Sequence, residues 1–367
     1  MTIVIAYQNE HTAMLLGDAM VSGLEEPGRA CSLPVIGPVT NVFPIGSGYT
    51  IKGLTQKVTL ISDECVVAWS GNKLGARMAM IQLAGLAETE VINPDLIGWF
   101  LKNLDADAQR LRNSLLGFVV GDKGPELFSN FEHRERIELG HGTAVVDGST
   151  PEFMEDFLRS SARSRLPGNC TYTPAQIACE YGLQIATHHL ASETNGFAQL
   201  LRYFGGAYEV ATYENRKFSK CDGATYVFWH GYKGEPAATP AYPALVLSTS
   251  YRGADFLVMV QEFSRPPWHH DGTIRSRLSV VRPVHAPAGQ LQQLLPTDFS
   301  LQPNWLCHHF VYGDAKQARR MCFIQQPIHM GADSFAIRSR YGAILAMDYK
   351  AKFWRDVFTA IEMGPPI

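Results

Sequence analysis

The chain predicts an α+β fold in which two packed sheets lie between helices, a four-layer αββα sandwich over residues 1–215. Three observations predict it. Apolar runs of strand composition come in pairs, Thr2–Tyr7 with Thr12–Leu16 and Lys57–Ile61 with Cys65–Trp69. Helical segments with an apolar face follow the second pair, and strand-like runs then return at Gly117–Val120, Glu126–Phe128, Thr143–Val146 and Ala207–Thr212 around a further helix. Two sheets covered by helices on their outer faces bury each of those apolar faces once.

The first two strands flank Gln8-Asn9-Glu10-His11, a polar stretch that reads as a hairpin turn. Pro, Gly and Ser dominate from Gly23 to Gly48, the pattern of a long surface loop. Asn72 can cap a helix on which Leu74, Met78, Ile81 and Gly85 share a face. Asn93-Pro94 starts another, with Ile97, Leu101, Leu104, Ala108, Leu111 and Leu115 in register. Thr173-Pro174-Ala175-Gln176 is a capping box opening a third, with Ile177, Tyr181, Ile185 and His188 along one side. The remaining residues, 216–367, predict an additional mixed α/β C-terminal region of unassigned role. In it Ala244–Ser250 and Phe256–Phe263 flank Arg252-Gly253-Ala254-Asp255 as a hairpin, and Asp348–Phe358 reads as a terminal helix.

Bulk properties narrow the function. A net charge of -3 and scattered Lys and Arg supply no basic field for a phosphate backbone, so nucleic acid is not an expected partner. Met1–Met20 contains no basic leader, no small-residue cleavage site and no apolar run long enough to span a bilayer, which predicts a cytoplasmic protein with no membrane partner. The 7 cysteines contain no CxxC pair and read as reduced thiols. His188-His189, His269-His270 and Cys307-His308-His309 are adjacent residues that point apart on a helix or strand, so no metal and no cofactor is expected. Trp268, Trp229, Tyr232 and Tyr242 read as packing residues.

Five short motifs follow one another in the first half: Thr2-Ile3-Val4, Gly17-Asp18-Ala19-Met20-Val21-Ser22, Thr50-Ile51-Lys52-Gly53, Gln56-Lys57-Val58 and Ala68-Trp69-Ser70-Gly71-Asn72. In order and neighbourhood the series resembles the proteasome-type N-terminal-nucleophile hydrolases. These include proteasome β-subunits, the peptidase of the bacterial two-component ATP-dependent protease and the ancestral bacterial proteasome homologue. The resemblance implies the four-layer fold, a peptide or amide substrate and a homo-oligomer. It also implies four catalytic residues, Thr2, Asp18, Lys57 and Gly71, with Ser22 in a supporting position. A second superposition places Met1 where the nucleophile stands. Taken singly, a strand-end Asp is a turn former, a strand-start Lys is solvated and Ser-Gly-Asn opens a helix.

The implied roles have chemical reasons. A free N-terminal Thr sets its hydroxyl beside an α-amine that titrates near 7.7 to 8.0, so one residue supplies nucleophile and base. A cation at Lys57 would lower both values, Asp18 would hold it, and the Gly71 N–H would receive an oxyanion. The sequence departs from the family in three places: a long insertion between Asp18 and Lys57, His141 where Leu139-Gly140-His141-Gly142 aligns with a Gly-Ser-Gly turn, and Leu201 and Phe204 in place of an Asp and a Ser. His141 is therefore a second supporting candidate, as a proton acceptor. The expected function is a threonine-type amide or peptide hydrolase acting through an acyl-enzyme after Met1 removal. The alternatives are a catalytically lapsed scaffold or binding protein, and a small-molecule amidase.

Overall fold

The structure, a computed structural model, describes residues 2–24, 31–39, 43, 46–104, 111, 113–130, 135–139, 141–149, 151–160, 172–194, 204–232, 243–263, 274–286, 294, 296, 299, 303–312, 319–327, 335–340, 344–349 and 351–355. Met1, Ala108, Leu201, Tyr242, Trp268, His269 and His270 lie outside them. Among the described residues strand outweighs helix, which makes the class mixed α+β with sheets dominant.

Three sheets carry most of the chain. The first has strands β1 (Ile3–Gln8), β2 (Ala13–Asp18), β11 (Arg136–Leu139), β12 (Gly142–Gly148), β13 (Tyr208–Glu214) and β14 (Lys217–Lys220), in the order β11-β12-β1-β2-β13-β14. The second has β7 (Val58–Ser62), β8 (Cys65–Gly71), β9 (Asn113–Gly121) and β10 (Gly124–Ser129), in the order β10-β9-β8-β7. Between them lie the small pairs β3 (Met20–Leu24) with β6 (Tyr49–Leu54) and β4 (Cys31–Leu33) with β5 (Gly37–Val39). The stretch read as one long loop thus contains paired strands, because Leu33, Phe43 and Ile51 collapse with Met20 into a small core of their own.

The apolar runs are continuous because both faces of these sheets are covered. Val4, Ala6 and Leu15 of the first sheet meet Val66, Ala68 and Phe118 of the second. The alternate residues Ile3, Ile5 and Tyr7 face helices α3 (Pro151–Ser160) and α4 (Pro174–Thr194). Across the second sheet, Val67, Trp69 and Val119 pack on α1 (Lys73–Ala87) and α2 (Pro94–Lys102). Asn72 and Asn93 cap those two helices as expected.

Two helix expectations are corrected. The buried face of α1 is Ala76, Ala79, Met80 and Leu83, while Leu74 and Ile81 stand 57% and 49% exposed; small residues let the helix approach the sheet closely. Helix α2 ends at Lys102, and Leu115 belongs to strand β9, where leucines repeat because that strand is buried on both faces.

The third sheet has strands β15 (Ala224–Tyr232), β16 (Pro243–Arg252), β17 (Asp255–Phe263), β18 (Ile274–Val281), β19 (Trp305–Tyr312) and β20 (Arg319–Gln325), in the order β18-β17-β16-β15-β19-β20. Its β16–β17 hairpin turns between Arg252 and Asp255 as the sequence predicts. This sheet packs on the far side of α4: Tyr226, Leu247, Val258, Cys307 and Ile324 continue the core that holds Ile5, Leu16 and Val210. Helix α4 is consequently buried all round, and its Thr173–Gln176 capping box is formed in both directions. Towards the C-terminus β21 (Phe335–Arg340) pairs with β22 (Ile344–Tyr349), so Asp348 and Tyr349 are strand; residues 351–355 are helical, and 350 and 356–358 of the expected helix lie outside the described residues. Among the described residues no helix is long and apolar enough to cross a membrane.

Candidate active site

Three sequence-distant residues meet at the N-terminal end of β1. Asp18 closes β2 opposite Tyr208 of β13, and Lys57 immediately precedes β7. Gly17 makes the meeting geometrically feasible, since a β-carbon there would stand 3.0 Å from Lys57 Cβ and 3.1 Å from Val58 Cγ2. The Lys57 amine directs its three donors at three acceptors: Thr2 Oγ1, Asp18 Oδ1 at 3.2 Å and the Met20 carbonyl at 2.9 Å. Thr2, Asp18 and Lys57 are all buried, and the Trp69 ring lies 5.0 Å from the Lys57 nitrogen.

Asp18 is satisfied on every side. Its Oδ1 also accepts the Ile3 N–H at 3.0 Å and its Oδ2 accepts the Gly205 N–H at 2.9 Å. Burial pushes the Asp18 carboxyl above the usual carboxylate range against the pull of Lys57 and the two backbone donors. Burial likewise pulls the Lys57 amine below the ordinary lysine value, against the charge of Asp18. With all three donors engaged, the Lys57 amine meets the Thr2 hydroxyl as a donor and can stabilise negative charge developing on that oxygen.

Ser149 completes the cluster. Its Oγ accepts the Thr2 N–H at 2.9 Å, and its own N–H donates to the Thr2 carbonyl at 2.8 Å. Gly148 must be glycine for this, because its φ is +132° and a side chain there would run into the Thr2 carbonyl. Sequence reasoning missed Ser149. The available signal was Gly148-Ser149 at the end of an apolar strand run and just before a proline-started helix.

The other expected residues fall differently. Gly71 ends β8 at φ +89°, two residues beyond Trp69, whose N–H donates to the Lys57 carbonyl. Its neighbour Ser70 donates to Asp147 Oδ2 at 3.1 Å. Ser22 lies at a bulge where β3 pairs with β6, and its buried hydroxyl has no hydrogen-bond partner among the described residues. His141 is not brought to Thr2. Its carbonyl accepts the Tyr7 hydroxyl at 2.7 Å and its ring packs between Tyr7 and Tyr181, at the opposite end of β1, because the antiparallel register with β12 sets Gln8 against Thr143 and Ile3 against Gly148. Phe204 is buried core beside the Gly205 that serves Asp18. Among the described residues no three His, Cys, Asp or Glu side chains are placed to hold a metal ion.

No protein-family model matches the chain, and no curated protein sequence matches it.

Proposed function

We propose that the protein is a threonine-type N-terminal-nucleophile hydrolase of amide or peptide bonds, of the proteasome-like kind, with the two sheets and their helices forming a four-layer αββα sandwich. One observation carries the reading: the Lys57 amine bonds Thr2 Oγ1, Asp18 and the Met20 carbonyl together, while Ser149 holds the Thr2 nitrogen. The Lys57 amine is the group that reaches the hydroxyl; Asp18 and the Met20 carbonyl fix the amine, and Ser149 fixes the nitrogen beside it.

Loss of Met1 turns the Thr2 nitrogen into an α-amine. Thr2 Oγ1 then attacks the substrate carbonyl carbon and its proton passes to the amine, with Lys57 lowering the cost of alkoxide character. The Gly71 N–H serves the oxyanion. Collapse breaks the C–N bond, the leaving nitrogen takes the proton, and Thr2 is left as an ester. Water attacks that ester under the same base, releasing the acid and restoring Thr2. Peptide or small amide is the substrate class, and a homo-oligomer is part of the reading by resemblance.

The test combines mass spectrometry with a chemical probe. The purified protein is expected to begin at Thr2 and to form a stable adduct there with a peptide epoxyketone, a reagent that needs both a Thr hydroxyl and a free α-amine. Retained Met1 and no adduct would refute the mechanism. That outcome supports the second reading, a non-catalytic scaffold, which draws on the near-complete burial of Thr2, 1% exposed.

A further inference from the structure

Residues 55–57 form no ladder with the first two sheets, yet they fix where the Lys57 amine sits. Trp69 of β8 donates to the Lys57 and Gln56 carbonyls, and the remaining backbone bonds come from Ala19, from Glu209 of β13 and from the end of β18. The Thr55 N–H donates to Ala19, the Gln56 N–H to the Arg282 carbonyl at 2.9 Å, and the Lys57 and Val58 N–H groups both donate to one carboxylate oxygen, Glu209 Oε2, at 2.9 and 3.3 Å. Glu209 stands on β13 directly opposite Gly17, and its side chain is fully buried. Its other oxygen accepts Lys220 Nζ at 2.7 Å and the Tyr251 hydroxyl at 3.1 Å. Lys220 also reaches Gln56 Oε1 at 2.7 Å, while Gln56 Nε2 donates to the Ala254 and Val281 carbonyls at 2.6 and 2.8 Å.

Tyr251, Ala254, Val281 and Arg282 all belong to the third sheet or its connections. Resting on the hydrolase reading above, we propose that Glu209 is a positioning residue for Lys57, and that through Tyr251 and residues 281–282 the third sheet sets the distance between the Lys57 amine and Thr2. A doubly accepting, fully partnered buried carboxylate is an expensive way to satisfy two N–H groups that a strand partner could satisfy. What it supplies is a fixed anchor that senses the third sheet. The C-terminal half is then a component of the hydrolase site.

The experiment measures kcat and KM on a short peptide amide, the pH–rate profile and the rate of Thr2 labelling by the epoxyketone, in full-length protein. Glu209→Gln keeps the shape but replaces one oxygen with a donor. It is expected to lower kcat about ten- to a hundred-fold with KM within about two-fold, since small displacements of a catalytic group cost that much. It also removes a negative charge near Lys57, so the limb of the profile governed by Lys57 moves to lower pH while Asp18 and Lys73, the other charged groups acting on Lys57, are unchanged. Lys220→Arg, which retains the ion pair, is expected to restore kcat relative to Lys220→Met. Should Glu209→Gln fail to fold, Tyr251→Phe takes its place and is expected to lower kcat several-fold. A folded Glu209→Gln, or Tyr251→Phe in its stead, with wild-type kcat and an unmoved pH limb overturns the inference alone. Wild-type protein that neither hydrolyses nor labels overturns the hydrolase reading and this inference together.

Discussion

The two ends of β1 share one strand and the same two neighbouring strands, yet they treat buried polarity in opposite ways. At the Thr2 end a lysine and an aspartate are buried and every donor of the amine is used. At the Tyr7 end the His141 ring sits edge-on to Tyr181, and the Tyr7 hydroxyl donates to the His141 carbonyl. Burying a charge pair is tolerable only with complete compensation, whereas an aromatic ring is stabilised largely by its packing. The difference teaches that a titratable side chain alone does not make a site; on the proposed reading the chemistry belongs where buried charges are fully compensated.

The largest effect is expected from Lys57→Met. Leaving Asp18 buried without its cation should destabilise the fold by about 3–5 kcal/mol and abolish hydrolysis. Denaturant melts together with rates on the peptide amide check it, and adding Asp18→Asn should recover part of the stability. If Lys57→Met were as stable as the wild type, the contrast between the two ends would collapse.

Next comes Glu193, which supports the Thr2 end from behind through the Gly206 N–H, beside Asp18. Burial holds its carboxyl protonated up to about 8, against an ordinary 4.5. Between those values the folded chain keeps a proton the unfolded chain has lost, so the stability present below 4.5 falls by a few kcal/mol as pH rises to about 8. Glu193→Gln has no proton to lose, and its stability measured from pH 4.5 to 8 should lack that decline.

Ser149→Ala removes one hydrogen bond to the Thr2 nitrogen. It should lower kcat about ten-fold or more while costing only about 1 kcal/mol of stability. His141→Phe preserves ring packing at the far end and should leave kcat within about two-fold, an outcome checked in the same assay. A large loss of kcat there would erase the distinction between the ends.

Local features were legible from sequence. The turns at Gln8–His11 and Arg252–Asp255 were marked by polar residues between apolar runs, and the Thr173–Gln176 capping box needs only two side chains three residues apart. Thr2, Asp18 and Lys57 were singled out by the order of their motifs and the family resemblance of that series, since each motif alone reads as an ordinary turn or strand start. The failures are long-range. Nothing near Ile177 or His188 announces that a third sheet covers the outer side of α4, so a helix buried all round was read as one-faced. Likewise Ala76 and Ala79 carry little hydrophobic signal, and the larger Leu74 and Ile81 drew the apolar face to the wrong side. Ser149 joins the site only through the register of β12 against β1, which brings Gly148 opposite Ile3.

The way Thr2 is enclosed also orders events in time. Ile3 to Gln8 are locked between β2 and β12, and the Thr2 nitrogen is bonded to Ser149, so an exopeptidase cannot draw the first residues into an extended grip once the sheet has closed. Closure waits for β12 and Ser149, 147 residues downstream of Thr2. On the proposed reading the nascent chain therefore passes through an interval in which the peptide bond before Thr2 is open to cleavage. Accelerating collapse would shorten that interval and leave molecules that are correctly folded and permanently blocked.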